Sequence, residues 1–89
     1  MDLLETIRKR LRISHAELDD EIQSLIDACK VDFTVKGIVN YEDTDPLIIQ
    51  AISLYCKANF GLVNDDSEKY QLSYDSMIRS LALCGEYNE

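Results

Sequence analysis

The stretch from Asp45 to Gly61 constrains the rest of the chain. Asp45 followed by Pro46 is a strong helix start, because an Asp side chain caps free amides and proline fits the first turn, where its missing N–H costs nothing. The segment then reads Leu47, Ile48, Ile49, Ala51, Ile52, Leu54, Tyr55, Cys56 and Ala58 to Phe60, with Gly61 as the stop. Gln50, Ser53 and Lys57 make a narrow polar stripe along it. A helix apolar almost all round is the buried centre of a bundle or lies between subunits. The remaining segments must therefore supply amphipathic partners.

Three further helices are predicted. The first spans Leu3 to Leu11, with Asp2 and Glu5 as a capping box and Leu3, Leu4, Ile7 and Leu11 on one face. The second spans His15 to Lys36, opened by Ser14 and Glu17 as a second box and closed by Gly37 at the position after the C-cap. Its core stripe is Leu18, Ile22, Leu25, Ile26, Cys29 and Phe33. The last spans Ser67 to Leu83, with Asp65 and Glu68 as a third box, Tyr70, Tyr74, Met77, Ile78 and Leu81 inward, and Gly85 ending it. Residues 86–89 read as a short tail. The β-branched run Val31 to Val39 admits a strand or a frayed helix end. The expected fold is all-α, a small bundle of three longer helices plus a short N-terminal helix, with residues 1–89 as one helical domain.

At 89 residues and 46% hydrophobic content the chain can build an ordinary core. A lone domain of this size buries only about 60–65% of its unfolded surface, so association matters more than for a larger chain. No run of 18 apolar residues occurs, and the acidic start Met1-Asp2-Leu3-Leu4-Glu5 lacks the pattern of a secretory signal. A cytoplasmic site of synthesis and no membrane contact are expected. Cys29, Cys56 and Cys84 are odd in number and far apart, which fits small apolar fillers better than a disulfide framework.

Net charge is −8, unevenly spread. Residues 1–12 hold four bases, Arg8, Lys9, Arg10 and Arg12, against two acids, whereas residues 13–89 hold five bases against fifteen acids. Such an acidic body does not grip nucleic acid by counterion release, stays soluble, and repels DNA passing close by. The basic cluster has two readings: a solvated helix end paired with acids of the second helix, or a contact for DNA or an acidic partner surface.

No catalytic, metal or cofactor constellation is apparent. His15 is the only histidine and lies in a capping region, so a zinc site lacks ligands. Asp19, Asp20 and Glu21 diverge by about 100° each around a helix and cannot converge on one ion. Asn64-Asp65-Asp66 lacks the remainder of a calcium loop and reads as a turn with a cap. The three glycines, each near a helix end, form no phosphate loop.

The helix backs carry a second pattern. Ser24, Ala28, Val31 and Val35 lie within about 60° of one another, opposite the core stripe of their helix. Leu72 and Leu83 lie about three turns apart and about 20° apart around the axis, with Ser76 and Arg79 between them. Scattered surface apolars are common. Two helices with the same feature mark Ala28, Val31, Val35, Leu72 and Leu83 as a candidate subunit interface.

Several stretches, taken in order, resemble small head-tail connector proteins of tailed bacteriophages. They are Leu11-Arg12-Ile13, Leu18-Asp19-Asp20-Glu21-Ile22, Leu25-Ile26-Asp27-Ala28-Cys29, Asp45-Pro46-Leu47-Ile48, Ala51-Ile52-Ser53-Leu54-Tyr55 and Lys57-Ala58-Asn59-Phe60-Gly61, then Glu68-Lys69-Tyr70 with Ser73-Tyr74 and Leu81. The likeness covers nearly the whole chain; each piece alone is mostly helix grammar, and the ordered set carries it. Cys29 stands where the family pattern has Ala, and the Ile38 to Thr44 loop is short. The resemblance implies a non-enzymatic virion protein at the head-tail junction that needs no cofactor. It implies a ring homo-oligomer of about a dozen copies. The ring would sit beneath the portal protein, extend the DNA channel without sequence-specific contact, and offer a platform to a tail-side completion protein. The rival reading from charge alone is a small acidic phage regulator or DNA mimic that binds a host protein. Its acids, however, cluster at helix starts rather than in a duplex-like double row.

Overall fold

The computed structural model describes residues 2–14, 16–60 and 66–88. Four helices follow one another: α1 (Leu3–Arg10), α2 (Asp19–Val35), α3 (Pro46–Asn59) and α4 (Ser67–Leu83). No strand occurs among the described residues, so the β-branched run is helical to Val35 and then turns. His15, Gly61, Asn64 and the cap expected at Asp65 lie outside the described residues, and Asp66 stands as the N-cap of α4.

α3 is the centre of the bundle and packs against each of the other three helices. Ile48, Ala51, Ile52 and Cys56 are fully buried on it. α1 contributes Ile7, α2 contributes Ile22, Ile26, Cys29 and Phe33, and α4 contributes Tyr74, Ile78 and Leu81. Each large apolar side chain buried this way stabilises the fold by about 1.5–3 kcal/mol before entropy is counted. The stripe expected to be polar on α3 is only partly so. Gln50 is exposed, but Ser53 is buried and its Oγ donates to the Ile49 carbonyl at 2.7 Å. Satisfied within its own helix, a small hydroxyl packs in a core without an orphan polar atom.

Local chemistry explains half of the helix ends. Asp2 Oδ1 accepts from the Glu5 amide at 2.8 Å, and Asp45 Oδ1 accepts from the Leu47 amide at 2.9 Å. α2 ends in a full Schellman motif: the Ile38 amide donates to the Phe33 carbonyl at 2.8 Å and the Gly37 amide to Thr34 at 3.1 Å, with Gly37 at φ +85°. α1 ends the same way, with the Ile13 amide on Arg8 and the Arg12 amide on Lys9, but here the left-handed residue is Arg12 at φ +61°.

The start of α2 departs from the sequence reading. Leu18 is its N-cap, and the Ser14–Glu17 box does not open the helix. Residues before it instead plant Ile13 and Leu18 against the core. Asp19, the first helical residue, meets Arg8 of α1 at 3.1 Å. Tertiary packing and an ion pair thus override a local capping pattern.

The C-terminal segment is also more than a tail. Tyr87 is buried; its carbonyl accepts from the Val39 and Asn40 amides at 2.9 and 3.1 Å, and its hydroxyl donates to Asp45 Oδ2 at 2.8 Å. Asn88 donates back to the Ala82 carbonyl at 3.0 Å. The chain end therefore clasps the α2–α3 connection and the carboxylate that caps α3.

Candidate functional site

The interior holds its reactive groups in quiet states. Cys29 and Cys56 are buried, and desolvation pushes both thiols up to about 12. Thiols so protonated are poor nucleophiles. The Tyr74 hydroxyl donates to Asp32 Oδ2 at 2.7 Å, and burial, followed by that bond, raises its pKa. Cys29 Sγ lies 3.7 Å from the same hydroxyl. No group of three or more His, Cys, Asp or Glu side chains suited to a metal occurs among the described residues.

The basic cluster divides in two. Arg8 turns inward on Asp19, with both carboxylate oxygens within 3.2 Å of Nη1. At the partial exposure of this pair, that contact is worth about 1 kcal/mol or less. Arg10 donates to Gln50 Oε1 at 3.0 Å, on the exposed edge of α3. Lys9 and Arg12 are exposed and form no ion pair among the described residues. Arg10 and Arg12, joined by Lys57, rim a surface cleft of about 700 Å³ whose wall includes Leu11, Ile13, Phe60 and Tyr70. Lys57 Nζ sits 5.6 Å from the centre of the Tyr70 ring, within reach of a cation–π attraction. Sequence spacing did not reveal this cleft, because its cations come from the end of α1, the turn after it and α3, which are distant along the chain.

The five residues marked by helix-back periodicity are all exposed. Val31 is 64% exposed and Val35 74%, Leu72 64% and Leu83 86%, and Ala28 is exposed beside them. They do not form one patch. Ala28, Val31 and Val35 line a shallow groove between α2 and α4 that also holds Gln71 and Asp75. Leu72 borders a different groove, with Leu54 and Met77, where α4 meets α3. Leu47 and Val39 are also exposed large apolars, beyond those the helix-back pattern had marked.

This arrangement defines a class: a small all-α subunit with a closed core and apolar helix faces turned to solvent. The sequence model of the phage connector protein family matches residues 3–88, nearly the full length. The chain belongs to that family, whose role in the phage is structural and involves assembly with other head and tail proteins. Neither curated protein sequences nor solved structures show a match to the chain. Among the described residues, no helix is long and apolar enough to cross a membrane.

Proposed function

We propose that residues 1–89 act as one helical connector domain, a non-catalytic subunit of a ring of about a dozen copies beneath the portal. The ring carries the DNA channel towards the tail and presents a platform to the tail-side completion protein. It assembles in the bacterial host cytoplasm and resides at the head-tail junction of the virion. Family membership and the exposed stripes at Ala28, Val31, Val35, Leu72 and Leu83 support this reading. The single observation that carries the assembly claim is that large aliphatics on two helices stand more than half exposed on a protomer whose core is already closed. The acidic composition suits a channel wall past which DNA slides without being held.

The acidic-regulator reading fits less well, because the fold uses several of its acids. Asp2 and Asp45 cap helices, Asp19 pairs with Arg8, Asp43 pairs with Lys30 at 3.0 Å, and Asp32 accepts from Tyr74. Gel filtration with light scattering, at high protein concentration and with portal protein added, tests the proposal. Ring-sized species are expected in at least one condition. A protein that stays monomeric throughout and never binds portal contradicts it.

A further inference from the structure

Two surfaces of this protomer complement each other, and neither alone explains its composition. The first is the outer face of α2. At about 100° per residue, Asp20, Asp27 and Val31 fall within about 40° of one another, and Val35 follows on the same side. All four are exposed. The face is thus an acidic then apolar ribbon about 22 Å long from Asp20 to Val35. The second is the cleft between the end of α1, the end of α3 and the start of α4, where Arg10, Arg12 and Lys57 stand over Leu11, Phe60 and Tyr70. Asp66 is the acid on its wall among the described residues. No residue of α2 lines the cleft, so one protomer can use both surfaces at once.

We propose that the cleft of one copy receives the outer face of α2 from the next copy, giving a head-to-tail contact. The proposal rests on the connector reading and specifies the faces that meet. Charge selects the occupant. Three cations gather here on a chain of net charge −8, and the acidic ribbon is supplied by every other copy at equal concentration. The apolar wall selects it as well. A phosphate backbone uses cations alone and leaves Leu11, Phe60 and Tyr70 unfilled, whereas a helix face carrying Val31 and Val35 covers them. A contact between two different patches propagates from copy to copy and closes into a ring when its rotation allows.

The test uses two full-length double variants, Asp20→Lys with Asp27→Lys on the face and Arg10→Glu with Arg12→Glu at the cleft. Circular dichroism and thermal midpoint establish that each is folded. Light scattering then reads assembly against concentration, with and without portal. Each double variant alone is expected to need more than about tenfold higher concentration to assemble, because like charges now face each other. Mixed one to one, the two variants restore opposite charge at every contact and are expected to assemble like the wild type. Wild-type and variant chains that all assemble equally overturn this pairing while leaving the connector reading intact. So does a loss that mixing fails to repair. A wild type that neither assembles nor binds portal overturns both.

Discussion

Arg12 shows how much a single residue's backbone can reveal. It occupies the left-handed position after α1, where a side chain costs about 1 kcal/mol relative to glycine. Arg12→Gly is therefore expected to leave the stability unchanged or raise it by up to about 1 kcal/mol, despite lost cationic charge. Gly37→Ala, at the equivalent position after α2, is expected to cost about 1 kcal/mol, and denaturant midpoints of the two variants check the pair. Gly37 was legible because glycine advertises a left-handed turn, whereas an arginine in the same role has no sequence signature. The cysteines separate as well. Cys84 is only partly buried, while Cys29 and Cys56 are enclosed and their thiols stay protonated. A maleimide is expected to label Cys84 first, with the other two protected until the protein is unfolded. Simultaneous labelling of all three in the native protein contradicts the core described.

At the scale of elements, the spans of α3 and α4 were legible and the start of α2 was not. Asp45-Pro46 forces a start whatever surrounds it, and α4 follows its apolar period from Ser67 to Leu83. Ser14 and Glu17 offered a local cap, but Ile13, Leu18 and the Arg8–Asp19 pair fixed the chain differently, through contacts that no short window contains. The C-terminal clasp was missed for the same reason, since Tyr87 finds Asp45 across 42 residues. Tyr87→Phe is expected to destabilise by about 1.5–3 kcal/mol, the worth of a hydrogen bond to a charged acceptor. The clasp also sets a pH dependence. The hydrogen bond donated to Asp45 pushes the Tyr87 phenol up from 10.0 to about 12, so the folded state favours the protonated form. That contribution is whole below about pH 10 and is lost as pH rises through about 12. Thermal midpoints between pH 9 and 12 are expected to fall less steeply in Tyr87→Phe than in the wild type.

For the whole molecule, the sequence pattern located the exposed apolar stripes correctly, because helical period alone decides which side faces the core. It did not separate them into distinct grooves or assemble the cationic cleft, both of which depend on how helices cross. The account's central claim is that these outward faces exist for other copies of the chain and cost the lone protomer nothing when altered. Val31→Asp and Leu72→Asp test it most directly, read by light scattering with portal present and by thermal midpoint. The predicted result is a protomer that unfolds within about 0.5 kcal/mol of the wild type, as surface substitutions do, with ring-sized species gone. Variants that still form the ring, or that unfold the protomer, contradict the claim.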